Sequence, residues 1–299
     1  MNRKILYFVN PISGRRRKTS LQKIITEKTQ EQNISFDIFP ADKDGKYLYL
    51  KEKIRKEKIT DVVICGGDGT VSQVAAALLG VDVNIGIIPA GSGNGLAFAA
   101  KIPKLPARAL QIIFNGKSRC IDAFYINNLF SCMLCGIGFD AQVAHDFALD
   151  KNRGLITYVK QSMKNFLKAT PYVFDITMKE KSISTEAFFI SVANGNQFGN
   201  NFTIAPRASL SDGLLDIIVV KRMSKLKLLW AVLRQIKFGQ VWQKEEINFH
   251  KKEVLYFQTD TLIIHNPLLA PLHIDGEPAP TNKKFTIKIL PSAFKLLQP

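Results

Sequence analysis

Residues Val62–Leu78 read VVICGGDGTVSQVAAAL: an apolar run, a cysteine, then Gly66-Gly67-Asp68-Gly69-Thr70, then an apolar pattern of helical spacing. A carboxylate among three glycines at the end of a buried strand poses a chemical problem. Glycines let backbone N–H groups close on a ligand, and phosphate suits such a cradle. Phosphate repels a carboxylate. The two are compatible if a cation sits between them, or if the acid takes a proton from the group attacking phosphorus. As bare composition, a glycine loop after a strand is only a turn into a helix. The whole pentapeptide is far more specific, and Thr70 brings the positive end of the following helix to the same point.

Around this stretch the first 120 residues alternate strand and helix. Apolar strands are expected at KILYFVN (Lys4–Asn10), ISFDIF (Ile34–Phe39), DVVIC (Asp61–Cys65) and VNIGIIP (Val83–Pro89), with helices over Ser20–Gln30, Tyr47–Glu57 and Thr70–Leu79. Short apolar strands separated by helices predict a doubly wound parallel sheet covered on both faces. Such sheets bind ligands beyond the carboxyl ends of their strands, where Asn10–Gly14, Gly66–Gly69 and Gly91–Gly95 fall. A P-loop is absent, because QIIFNGKS has Gln111 where the first glycine belongs. GSGNG does not match the dinucleotide fingerprint either.

After about Asp122 the texture changes. Strand-like runs follow one another: LFSCMLCGIGFD (Leu129–Asp140), YVFDITMK (Tyr172–Lys179), TEAFFISVAN (Thr185–Asn194), GLLDIIVV (Gly213–Val220), TLIIHN (Thr261–Asn266), APLHIDGE (Ala270–Glu277) and KKFTIKILP (Lys283–Pro291). Only two helical patterns interrupt them, near Leu155–Lys168 and Lys225–Phe238. This texture predicts a β-sandwich.

The charge is unusual, with 41 Lys+Arg against 25 Asp+Glu and a net +16. It favours nucleic acid, an anionic membrane surface or phosphorylated ligands, or else serves solubility alone. The segment Lys221–Gly239 carries six Lys/Arg and no acid, with Leu226, Leu229, Trp230, Leu233 and Ile236 at helical spacing. It reads as a membrane-surface helix, or as a stripe packed on the sandwich beneath solvated lysines. The apolar run Ile5–Val9 is shorter than the roughly seven residues of a signal-peptide core, and no run reaches the roughly 18 of a membrane span. A cytoplasmic protein with peripheral membrane contact is expected. Cys65, Cys120, Cys132 and Cys135 read as buried free thiols; Cys132 and Cys135 form a lone CxxC that no second pair completes as a zinc site. The four histidines show no ligand spacing.

Four ordered motifs, NPISG (Asn10–Gly14), GGDGT (Gly66–Thr70), PAGSGNGLA (Pro89–Ala97) and HIDGEPA (His273–Ala279), together with GIGFDA and SLSDGLLDIIVV, resemble the diacylglycerol kinase/sphingosine kinase superfamily of lipid kinases. The resemblance runs nearly end to end. It implies an ATP-binding α/β domain over 1–122, to which 289–299 returns, and a lipid-substrate β-sandwich over 123–288. It further implies that ATP contacts Asn10, Pro11, Ser13 and Gly14, then Gly66, Gly67, Asp68, Gly69 and Thr70, then Gly91, Ser92, Gly93 and Asn94. Asp68 and Asp122 would serve the catalytic Mg²⁺. Asp212, with backbone oxygens of Ser209 and Leu214, would hold a second, structural Mg²⁺. Glu277 would accept the proton, with Asp275 beside it and Asp68 as the competing base.

The implied reaction moves the γ-phosphoryl of Mg·ATP to a primary hydroxyl of a diacylglycerol-like or sphingoid lipid. The implied partners are that lipid alcohol, an anionic membrane surface and a possible second copy of the chain, but no nucleic acid. NAD kinase-like or other small-alcohol kinases rank behind, since they lack NPxSG with a late DGE. A non-catalytic basic membrane module is the rival of a different class. Two departures stand out: Gly95 supplies no carboxylate where many bacterial members have GT-x-ND, and Ala41 replaces a threonine that often contacts the nucleotide.

Overall fold

The computed structural model of the chain describes residues 3–10, 18–42, 44–149, 165, 169–179, 181–199, 202–203, 205–224 and 253–299. The chain divides into two compact units, Met1–Asp122 with Ser292–Pro299, and Ala123–Pro291. The predicted basic helix Lys225–Phe238 lies outside the described residues, as do Pro11, Ser13, Gly14 and all but Asn165 of Leu155–Lys168.

In the first unit, β1 (Lys4–Val9), β2 (Ser35–Pro40), β3 (Asp61–Gly66) and β4 (Asn84–Pro89) pair in parallel in the order β2-β1-β3-β4. Strands β1, β3 and β4 are almost wholly buried, which explains why they read as continuous apolar runs rather than alternating ones. Between them run α1 (Lys18–Gln30), α2 (Leu50–Glu57) and α3 (Asp68–Ala77). After β4 follow α4 (Gly95–Ala99) and α5 (Pro106–Asn115), neither anticipated from the sequence. The spurious P-loop candidate lies on the end of α5, which explains why it has no cradle shape. Arg3 Nε bonds Asp61 Oδ2 at 2.8 Å, and its Nη1 donates to the Phe114 carbonyl at 2.9 Å, binding the last turn of α5 to the starts of β1 and β3.

The sheet order puts a topological switch between β1 and β3, since the chain winds one way to β2 and the other to β4. Asn10, Gly67 and Ala90 follow the carboxyl ends of β1, β3 and β4, three adjacent strands. That adjacency is why the three loops share one edge of the sheet.

The second unit takes in most of its strands antiparallel: β6 (Leu129–Ser131), β7 (Leu134–Gly138), β8 (Tyr172–Met178), β9 (Lys181–Ala193), β12 (Leu215–Lys221), β13 (Val254–Thr259), β14 (Thr261–His265), β15 (Leu272–Ile274) and β16 (Glu277–Ala279). Two small strands, β10 (Gln197–Gly199) and β11 (Phe202–Thr203), pair with each other. Strands β5 (Lys117–Ile126) and β17 (Lys284–Gln298) belong to both units: β17 pairs antiparallel with β14 through Lys284–Lys288, and parallel with β4 through Lys295 and Leu296. Alternating inward side chains, among them Phe124, Phe174, Ile190, Ile217, Ile264, Phe285 and Ile287, make one apolar core.

Two predicted strand runs are corrected. Ala270–Glu277 proves to be β15 with the turn into β16. Leu129–Asp140 is not continuous: it breaks at Cys132–Met133 and ends in α6 (Phe139–Leu149). The break coincides with the N–H groups of Met133 and Leu134 turning to Asp275 rather than to a neighbouring strand. Gly138, at φ 105°, turns the chain into the helix, because a Cβ there would run into the Phe188 carbonyl. Among the cysteines, Cys120 is exposed, unlike Cys65, Cys132 and Cys135.

Candidate active site

Two acid-bearing segments, one in each unit, hold the candidate residues expected from the sequence. In the first unit, Asp68 is the first residue of α3, with Gly67 as its N-cap. Gly67 and Gly91 approach so closely that a Cβ on Gly91 would collide with the Gly67 Cα. The loops after β3 and β4 therefore touch backbone to backbone, which only glycine permits. Asn94 fixes the second loop: its Oδ1 accepts from Gly91 N–H at 2.8 Å and its Nδ2 donates to the Gly91 carbonyl at 2.8 Å. Asn94 holds a left-handed φ of 56°, which asparagine tolerates, and is buried, while Ser92 is exposed at the loop tip. Asn10 reaches over from β1, its Nδ2 donating to Thr70 Oγ1 at 3.0 Å. Asp68 is half-buried and its Oδ1 accepts from Leu96 N–H at 3.3 Å.

The β3 and β4 loops, with Asn10 at the end of β1, thus present bare backbone and one acid beside the N-terminus of a ten-residue helix. This combination fits the phosphates of a nucleotide, and it fits Mg²⁺ in kind, since that ion takes one or two carboxylates and fills its shell with phosphate oxygens and water. Among the described residues no group of three or more His, Cys, Asp or Glu forms an all-protein metal cluster. Asp122 is buried, with Oδ1 accepting from Ser292 N–H at 2.8 Å, so one of its oxygens anchors the returning end of the chain. Asp212 is exposed on a turn, its Oδ1 accepting from Leu214 N–H at 3.1 Å, while Ser211 N–H donates to Ser209 Oγ at 3.4 Å.

In the second unit β15 and β16 form a hairpin, Ile274 pairing with Glu277 around Asp275-Gly276. Asp275 and Glu277, adjacent in the motif, have opposite surroundings. Asp275 is 8% exposed, at φ 50°, and its Oδ1 accepts from Ser131 Oγ at 2.7 Å, Met133 N–H at 3.2 Å and Leu134 N–H at 3.1 Å. It clamps the hairpin to the β6–β7 turn. Glu277 lies exposed at the start of β16.

Sequence reasoning missed a buried pair behind this hairpin. His273 Nε2 lies 3.5 Å from Asp140 Oδ2, and Gly136 makes the room, because a Cβ there would collide with both. The register brings them together, since His273 pairs with Gly136 across β15 and β7. His145 adds a bond from its Nε2 to the Leu272 carbonyl at 2.9 Å, tying α6 to β15. Burial, reinforced by the carboxylates of Asp275 and Asp140, raises the Cys135 thiol well above its ordinary range, which favours its protonated form.

An α/β unit with bare glycine loops and an acid, followed by an antiparallel β unit, has the parts of a phosphotransferase. The family comparisons agree. A model of the diacylglycerol kinase catalytic domain matches residues 4–126, and one of the YegS C-terminal NAD kinase beta sandwich-like domain matches residues 134–298. The chain belongs to this family of lipid kinases, with the catalytic domain first and the YegS-type domain second. It is similar to "Probable lipid kinase YegS-like" of Shewanella frigidimarina, 27% identical over 90% of this chain and 86% of that one. A protein of the same name from Xanthomonas euvesicatoria is 27% identical over 90% and 89%. The fold matches the crystal structure of a diacylglycerol kinase from Bacillus anthracis str. Sterne, with TM-score 0.74, 18% identity, and coverage of 99% of this chain and 97% of that one.

Proposed function

We propose that the protein transfers the γ-phosphoryl group of Mg·ATP to a primary hydroxyl of a diacylglycerol-like or sphingoid lipid, working at the surface of a membrane from the cytoplasmic side. The observation that carries this reading is the glycine-to-glycine contact of the β3 and β4 loops around Asp68. It leaves unshielded N–H groups where a polyphosphate's charge would lie. Gly66, Gly67, Gly69 and Thr70 bind phosphate on one side and Gly91, Ser92, Gly93 and Asn94 on the other, and Asn10, Pro11, Ser13 and Gly14 are further nucleotide-binding residues. Bound Mg²⁺ supplies charge neutralisation on the phosphates, which in phosphoryl transfer is most of the catalysis. Asp68 and Asp122 would hold that ion, and Asp212, with the backbone oxygens of Ser209 and Leu214, would take a structural one.

Glu277 takes the proton of the lipid hydroxyl as its oxygen bonds the γ-phosphorus and the bond to the β-phosphate oxygen breaks, that oxygen leaving with the electron pair in ADP. Exposure favours Glu277 over Asp275 for this task, because Asp275 already accepts three hydrogen bonds on one oxygen. The protein is incubated with γ-labelled ATP and, separately, diacylglycerol, monoacylglycerol, sphingosine and NAD, and products are separated by thin-layer chromatography. Label should enter a lipid and not NAD. Label in NAD alone, or in no acceptor, would refute the reading.

A further inference from the structure

One rim of the second unit keeps apolar side chains in solvent. Leu268 is 58% exposed and Leu269 47%, and Leu129 and Val173 are exposed too. Hydrogen bonds gather the turns that carry them. Asn266 N–H donates to the Lys283 carbonyl at 2.8 Å, and Asn127 N–H to the Thr286 carbonyl at 2.8 Å. Asn127 Nδ2 adds a bond to the Lys284 carbonyl at 3.3 Å. Val173 lies two residues from Asp175, the β8 partner of His265, on the side where the chain enters Pro267.

Leu269 has a φ of 53°, a left-handed conformation that a bulky residue keeps only when its surroundings enforce it. Asn266 enforces it. Leu269 N–H donates to the Asn266 carbonyl at 3.1 Å, and Ala270 N–H to Asn266 Oδ1 at 2.9 Å. Asn266 Nδ2 donates to the carbonyls of Ala270 at 3.0 Å and Asn282 at 3.1 Å, and Thr281 Oγ1 also donates to Ala270 at 2.6 Å. A fully buried asparagine and a strained backbone together hold two leucines outward.

The same turn pairs part of its backbone and lacks two of its donors. Pro267 and Pro271 have no N–H, Leu269 and Ala270 donate inside the turn, the Ala270 carbonyl accepts inside it, and the Pro271 carbonyl accepts from Gly138 N–H at 2.9 Å. Such a turn exposes few N–H donors, and the polar headgroup layer can hydrate the groups that remain. The prolines also remove donors by which another strand would pair with it, which disfavours a second copy as the occupant. Lys283 and Lys284 stand exposed beside it, with His265 and Asp175 across β14 and β8, and with Glu186, ion-paired to Arg222 at 2.8 Å, opposite Val173 on β9.

We propose that this rim docks the protein on an anionic bilayer, Leu268 and Leu269 entering the headgroup–acyl boundary while Lys283 and Lys284 meet lipid phosphates. The inference rests on the lipid-kinase reading, because the acceptor resides in a bilayer and no described helix is long and apolar enough to cross one.

Sedimentation of the full chain with vesicles of phosphatidylcholine plus phosphatidylglycerol, and of phosphatidylcholine alone, tests it. Leu268→Ser with Leu269→Asn should weaken binding to the mixed vesicles about a hundredfold, roughly tenfold per leucine. Its melting temperature should match or exceed wild type, because asparagine tolerates the left-handed backbone. Lys283→Gln with Lys284→Gln should weaken binding to the anionic vesicles and leave the neutral ones unaffected. Vesicle binding unchanged in the leucine variant overturns the proposal. So does loss of self-association in that variant with vesicle binding retained, which would assign the rim to a second copy. Turnover on lipid in detergent micelles is read separately: failure of wild type there sinks the kinase reading, whereas a leucine variant active in micelles but detached from vesicles supports the docking rim.

Discussion

The turn at Gly66–Thr70 is shaped by side chains that are missing, and the turn at Asp275–Gly276 by one that is present. In the first, Gly67 and Gly91 meet as bare backbone, and Asp68, at the start of α3, accepts a long bond of 3.3 Å from Leu96 N–H. In the second, one buried carboxylate oxygen gathers three donors from the β6–β7 turn, and the neighbouring acid is left in solvent. The same residue type therefore does different work. An aspartate in a glycine loop is available for chemistry, whereas an aspartate at the centre of a hydrogen-bond cluster is committed to holding the fold.

The largest expected effect breaks the first turn's chemistry and leaves its shape. Asp68→Asn should cut phosphoryl transfer by roughly 10³-fold, the scale of losing a group that positions charge. Its thermal melt should overlay wild type. A turnover within threefold of wild type would remove Asp68 from the site.

The second turn should respond in the opposite way. Asp275→Ala strands Ser131 Oγ and the N–H groups of Met133 and Leu134, and should cost about 3 kcal/mol or more in denaturant unfolding. Asp275→Asn keeps an acceptor and tolerates the left-handed backbone, so it should cost only about 1 kcal/mol. Equal losses for the two would mean that the carboxylate's charge, not its place as acceptor, holds the hairpin.

Gly136→Ala sharpens the same contrast, because the added methyl must part His273 from Asp140. Overpacking of this kind costs about 1–3 kcal/mol, and chemical denaturation would show it. Folding as stable as wild type would show that the pair can move aside freely.

The smallest effect concerns Asp212. If Asp212 holds a structural Mg²⁺, wild type should melt a few degrees higher with Mg²⁺ than with a chelator, and Asp212→Ala should lose that difference, because an ion that binds only the folded state stabilises it by mass action. The same Mg²⁺-dependent rise in both proteins would dismiss the site.

Much of the first unit was legible because its physics is local. Strands buried on both faces read as apolar runs, and glycines announce close backbone approach, so β1 to β4 and the loops at Gly66–Thr70 and Gly91–Asn94 followed from composition and spacing. Helices α4 and α5 did not, since α4 has only five residues and α5 begins at Pro106, which reads as punctuation until its place at the first helical position is known. In the second unit the apolar alternation was visible, but the break at Cys132–Met133 was not. Its cause, Asp275, lies more than 140 positions away in sequence. The His273–Asp140 pair was hidden for the same reason: only strand register brings Gly136 opposite His273 and opens the space between them. DGE was readable as a motif, while the division of labour inside it was not, because burial separates Asp275 from Glu277 and burial is a property of the fold.

That division is tested most directly by phosphoryl transfer in Glu277→Gln, measured in a single turnover with labelled ATP and the preferred lipid. An exposed residue outside the hydrogen-bond cluster can be replaced without harm to the fold, so the variant should melt as wild type does. It should transfer phosphate roughly 10²–10⁴-fold more slowly, the range a general base contributes. Wild-type transfer by Glu277→Gln, with the lipid product unchanged, would contradict the assignment and return the role of base to Asp68.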